Sequence, residues 1–148
     1  MLVGDVLPKG RTAEIVKLLD GASALDVARE MMAHGVGSVV IRTRAGNILG
    51  IVGESEIVAA AALQSDLSRL LATSIMLSPV PCIDVQESVL DALGRITACR
   101  FRHLLVTEQN VACAVVSIGD LVKAQLDEIL LENSVLRDMT YLQRILRG

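Results

Sequence analysis

A chain of 148 residues with three cysteines at wide spacings and no CxxC pair is long enough to bury a core without disulfide staples. It reads as one domain or two small halves, with reduced, intracellular thiols in the core. The net charge of -3 offers no basic stripe for nucleic acid, and Phe101 and Tyr141 are too few aromatics for base stacking.

Although 52% of the residues are hydrophobic, charges interrupt every apolar stretch before the roughly 18 residues that a membrane span needs. The start, MLVGDVLPKGR, has neither a basic opening followed by an apolar run nor a small-residue cleavage site. The expectation is a cytoplasmic protein with no membrane contact.

In chain order, EIVKLL at 14 to 19 reads as a short strand. Ser23-x-x-Asp26 is a capping box, and the helical stretch from Ala24 to His34 follows it. His34 suits the negative end of the helix dipole better than a ligand role, and Met31-Met32 reads as adaptable core or dimer packing. Apolar runs at 38 to 42 and 48 to 52 flank RAGN, a hairpin-like turn in which Gly46 and Asn47 can take positive φ. A second helix begins near Glu54. Pro79 and Pro81 punctuate the junction.

The same order then returns. CIDV at 82 to 85 is a strand, Ser88-x-x-Asp91 caps a helix from Val89 to Cys99, and runs at 103 to 107 and 111 to 116 flank EQN, where Asn110 can take positive φ. Another helix begins near Ile118. The near-continuous apolar character of SVVI and AVV fits strands covered on both faces, and a buried helix would give the same pattern.

Beyond residue 121, Val122, Leu126 and Ile129 form one stripe and Val135, Met139, Leu142 and Leu146 a second. The tail reads as one long amphipathic helix with a shift of face near Asn133-Ser134. Its partner is the same helix of a second chain, the alternative being its own domain.

The two passes are copies. Ser23, Leu25 and Asp26 recur 65 positions later as Ser88, Leu90 and Asp91; Val39-Val40-Ile41 recurs as Leu104-Leu105-Val106. GIVGESEIV from Gly50 matches AVVSIGDLV from Ala114, 64 positions on. Residues 1–65 form the first unit, 66–125 the second and 126–148 a C-terminal helix.

VVSIGDLVK poses the functional question. Ser117 and Asp120 make a capping box, yet a strand running into a helix N-terminus also presents free N–H groups that suit a phosphate. With LDVAREMM, GVGSVVI and GIVGESEIV in the first copy and LDALGRIT, FRHLLV and AVVSIGDLVK in the second, the chain resembles a free-standing tandem cystathionine-beta-synthase (CBS) domain pair, or Bateman module.

The resemblance implies an α/β (α+β) fold of two β-α-β-β-α units. It implies a regulatory sensor, not an enzyme, that requires no cofactor and takes an adenosine-containing ligand (AMP, ADP, ATP, S-adenosylmethionine or NADH) between its halves. Arg102 beside a helix N-terminus favours AMP, ADP or ATP as the regulatory ligand over the cationic sulfonium. It further implies a homodimer acting on an effector protein.

Carried over by position, Ser117 and Asp120 hold the ribose, while Phe101, Arg102 and His103 lie near the phosphate, where an Arg fork gives bidentate bonds. Residues 80 to 83, including Val80, Cys82 and Ile83, line the adenine slot. Gly37, Ser38, Gly53 and Glu56 form a second, weaker site: Gly53 has no hydroxyl, Glu56 is longer than Asp, and Gly37-Ser38 stands where Arg102-His103 stands in the second copy. Leu105 and Ala114 replace a usual proline and glycine.

Arg102 and His103 can equally be solvated residues at a strand end. The competing function is a dimeric scaffold that keeps the fold and binds no ligand. Nothing in the chain has the form of a nucleophile-base pair, HExxH or P-loop.

Overall fold

Capping serines set where the long helices begin. The Asp26 N–H donates to Ser23 Oγ at 3.0 Å, and the Ser23 N–H donates back to Asp26 Oδ2 at 2.9 Å. The computed structural model describes residues 1–7, 15–99 and 101–148.

Its first half runs α1 (Val3–Val6), β1 (Lys17–Leu19), α2 (Ala24–His34), β2 (Ser38–Arg42), β3 (Ile48–Gly53) and α3 (Glu54–Leu63). After a 3-10 turn at Leu67–Arg69 come α4 (Ala72–Ile75), β4 (Cys82–Asp84), α5 (Val89–Cys99), β5 (His103–Glu108), β6 (Val111–Ser117) and α6 (Ile118–Arg147). Residue 14 of the EIVKLL strand lies outside the described residues.

Each half is a three-stranded sheet in chain order, with its first two strands parallel and its last two antiparallel. The parallel step needs a crossover, and α2 and α5 supply it. Alternation along β2 explains its continuous apolar sequence. Val39 and Ile41 pack with Val27 and Met31 of α2, whereas Val40 turns to the other face, against Ile51 and Leu105.

In the second half Leu104, Val106, Ala114 and Val116 meet Val89 and Ile96 of α5. The sheets therefore stand back to back, with helices outside. Leu105 faces this shared layer, and its N–H donates to Pro81 O at 2.9 Å, matching the 2.9 Å bond from Val40 N–H to Val16 O. A proline there would have no donor for that bond.

The short helices exchange halves. Val3 of α1 is buried beside Ile83, and the Val3 N–H donates to Glu87 O at 2.8 Å, so the N-terminus packs on the second half. Reciprocally, Ala72 of α4 is buried in the first half's core, and its N–H donates to Ala22 O at 2.8 Å.

Several expectations are corrected. Asn47 keeps out of the left-handed region; Gly46 takes it in the first turn (φ +91), and Gln109 joins Asn110 there in the second. Cys99 is exposed at the end of α5, while Cys82 and Cys113 are only half-buried, their thiols pushed up in pKa chiefly by burial. Met31 is core but Met32 is 85% exposed. His34 Nε2 lies 2.9 Å from Glu30 Oε2 on its own helix.

The tail is one continuous helix. Leu121 is buried against the second half, Glu128 lies 3.8 Å from the N-terminal amine, and every residue from Ile129 on is exposed. The boundary read at 126 falls inside α6.

Candidate functional site

Between the halves, the helix N-terminus that ends one sheet faces the residues that open the second strand of the other. One cleft is lined by Ile15, Val16 and Val36-Gly37-Ser38 of the first half, with His103, Val115, Ser117 and Asp120 of the second, and holds about 360 Å³. Its counterpart is lined by Gly53, Glu54, Ser55 and Glu56 with Leu77, Arg102 and His103, and holds about 50 Å³.

The inequality follows from the sequence. Gly37-Ser38 and Arg102-His103 are the same positions of the two copies, 65 residues apart. Each pair lines the cleft whose carboxylate belongs to the opposite half. The small pair therefore leaves room beside Asp120, and the large pair fills the space beside Glu56.

Ser117 and Asp120 form a complete capping box. The Asp120 N–H donates to Ser117 Oγ at 3.1 Å, and the Ser117 N–H donates to Asp120 Oδ2 at 2.9 Å. One carboxylate oxygen holds the cap; Oδ1 has no hydrogen-bond donor among the described residues, and Asp120 lines both this cleft and a neighbouring pocket with Asp5 and Lys123. Capping and ligand binding are thus compatible. In the first half the Gly53 N–H donates to Glu56 Oε2 at 2.8 Å, a box without the hydroxyl.

His103 is the wall common to both clefts. A Cβ on Gly37 would stand 3.2 Å from its Nε2, and one on Gly53 would stand 3.4 Å from its Nδ1. Burial holds the imidazole below its ordinary pKa, against the opposing pull of Glu54, Glu56 and Asp120, with Arg102 adding to the depression. The ring is neutral at neutral pH.

The residues singled out in the sequence do not all meet. Asp120, Ser117, His103, Gly37 and Ser38 share the larger cleft, while Arg102, Gly53 and Glu56 share the smaller one with His103. Ile83 is 1% exposed inside the second half's core, and Val80 and Cys82 lie in the layer between the sheets. Phe101 is half-buried just before β5, outside both linings.

Ile15, Val16, Val36 and Val115 line the larger cleft without having been singled out. Ile15 is the repeat partner of Val80, so the signal was present, but in the opposite copy.

Among the described residues no helix is long and apolar enough to cross a membrane, and no cluster of three or more His, Cys, Asp or Glu could hold a metal ion. Comparison with known proteins finds the CBS domain model matching residues 3–63 and 72–127. An uncharacterised 17.7 kDa protein of Acidianus ambivalens is 30% identical over 117 residues, 78% of this chain and 70% of that protein.

Among solved structures, a CBS-domain-containing protein from Agrobacterium tumefaciens is 28% identical with a TM-score of 0.77, over 84% of this chain and 98% of that one. A CBS domain protein from Pyrobaculum aerophilum, solved in complex with AMP, is 26% identical with a TM-score of 0.70, over 81% of this chain and 89% of that one. With two matched domains, two back-to-back sheets and a cleft on either side of His103, the chain belongs to the CBS domain family.

Proposed function

We propose that the chain is a regulatory sensor that takes an adenosine nucleotide, of the AMP, ADP or ATP type, in the Asp120 cleft and passes its occupancy to an effector protein. The observation that carries this reading is Asp120 itself. It lines a cleft of about 360 Å³, within the range of small-molecule sites, and its Oδ1 accepts no hydrogen bond from the described residues. Ile15, Val16 and Val115 offer apolar walls for a base, Asp120 offers an acceptor for ribose hydroxyls, and His103 stands where a phosphate would extend.

Arg102 lines the neighbouring narrow cleft and not the Asp120 cleft. The AMP held by the Pyrobaculum relative supports the ligand class. Melting the protein with AMP, ADP, ATP and S-adenosylmethionine tests it. Ligand at 100 times its dissociation constant adds about 2.7 kcal/mol, or several degrees for a chain of this size. Millimolar nucleotides that leave the melt unmoved overturn the reading.

A second reading, the dimeric scaffold, is favoured by α6. Val135 (50% exposed), Met139 (53%), Leu142 (56%) and Leu146 (84%) make an unpartnered apolar stripe beyond the body. The stripe suits the same helix of a second copy, giving a homodimer with or without ligand. Light scattering should find the full chain dimeric and a chain ending at Glu132 monomeric. A monodisperse monomer at micromolar concentration refutes the pairing.

A further inference from the structure

His103 opens β5 and stands between the two clefts, with a different nitrogen turned to each. Nε2 is turned to Gly37, where a Cβ would meet it at 3.2 Å and Glu54 Oε1 at 3.7 Å, and Nδ1 is turned to Gly53, where a Cβ would meet Glu56 Oε2 at 3.0 Å and Nδ1 at 3.4 Å. The charged groups that act on the ring are Glu54 and Glu56 from α3, Asp120 from α6, and Arg102, its own neighbour in sequence. No hydrogen bond to the imidazole is made by the described residues.

A neutral imidazole carries one N–H and one lone pair, so it donates to one side and only accepts on the other. An anion seated beside Asp120 needs the N–H on Nε2. The lone pair on Nδ1 then faces the side of the ring on which the Glu56 carboxylate lies, which is repulsive. A proton from solvent on Nδ1 removes that conflict and turns both nitrogens into donors.

We infer that an anionic group bound beside Asp120 loads one proton onto His103, whose second N–H, on Nδ1, then engages the carboxylate of Glu56 at the head of α3. Occupancy on one side of the ring is thereby read at a helix of the opposite half. The inference rests on the nucleotide reading of the Asp120 cleft. One proton leaves solvent, one N–H bond forms, and nothing else changes covalently.

With only His34 and His103 in the chain, imidazole NMR on the full protein gives two titrations, assigned with His34→Gln. Saturating AMP should raise the midpoint of His103 and leave that of His34 in place. Calorimetry in two buffers of unlike ionisation enthalpy should record proton uptake with AMP, and none with AMP on His103→Gln or with adenosine on the native protein. AMP affinity should rise about ten-fold between about pH 8 and about pH 6.

AMP binding with an unmoved His103 and no proton uptake overturns the inference and leaves the nucleotide reading standing. Equal uptake with adenosine overturns the role given to the anion. AMP that does not bind at any pH overturns both readings.

Discussion

Replacing Asp120 with alanine separates its two roles, because the chain contains a matched control. Asp26 holds Ser23 through bonds of 2.9 and 3.0 Å, and Asp120 holds Ser117 through bonds of 2.9 and 3.1 Å. Asp26, however, lines neither cleft between the halves. Losing the carboxylate end of either box should cost a similar amount of stability, about 0.5 to 2 kcal/mol.

Only Asp120→Ala removes an acceptor for the ribose. A charge-assisted hydrogen bond is worth about 1.5 to 3 kcal/mol, so AMP affinity should fall about ten-fold to a hundred-fold. Asp26→Ala should bind as the native protein does, and a 2′-deoxy nucleotide should mimic part of the Asp120 loss. Calorimetry supplies the affinities and urea unfolding the stabilities. Equal AMP affinity in both variants, beside equal loss of stability, would reduce SIGD to a helix cap.

Gly37→Arg should close the Asp120 cleft and weaken AMP binding at least about a hundred-fold by desolvation and bulk. Its Cβ meets side chains alone, the His103 ring at 3.2 Å and Glu54 Oε1 at 3.7 Å, so the fold should survive, and unchanged AMP binding contradicts the cleft assignment. The ligand-free protein should lose stability on acidification. Burial puts the native midpoint of His103 below 6.5, so as pH falls through that value the unfolded chain binds the proton first. Melts should drop from about pH 7 toward the native midpoint and then level, with a smaller drop in His103→Gln; identical slopes refute this.

Gly50→Ala drives a Cβ to 2.5 Å from Met76 Sδ and 2.8 Å from Leu77 O, a carbonyl tied to the Ile51 N–H at 3.1 Å. Urea unfolding should register a loss of about 1 to 3 kcal/mol, and an unchanged midpoint would show that Met76 and Leu77 yield.

What could be read in advance follows from which interactions are local. The capping boxes at Ser23 and Ser117 and the turns at Gly46 and Asn110 are decided within four or five residues, and the helices and hairpins they bound fall where the residues place them. Burial on both faces was legible in β2 and β6, where SVVI and AVV are apolar at consecutive positions, a pattern that a buried helix shares and that the hairpin turns decide for strands. The helices α1 and α4, four residues each, are too short to show a period, and their exchange between halves is a long-range choice. Cys99 was read as core by residue type, yet it sits on the outer face of the last turn of α5.

The same exchange changes how the two copies must be weighed. Read half by half, Arg102-His103 belongs with Asp120 and makes the second copy complete, while Gly37, Ser38, Gly53 and Glu56 make the first copy degenerate. In space the strand openings cross over, so Gly37 and Ser38 are what leave about 360 Å³ beside Asp120. A side chain at Gly53 would meet Glu56 Oε2 of its own half first, at 3.0 Å, and then Nδ1 of His103 from the other half at 3.4 Å. The losses in the first copy are therefore the conditions for one open cleft and one shared imidazole in the second. Duplication alone would build two equal clefts; the difference between Gly37-Ser38 and Arg102-His103 leaves one of about 360 Å³ beside Asp120 and one of about 50 Å³ beside Glu54 and Glu56, with the His103 ring between them.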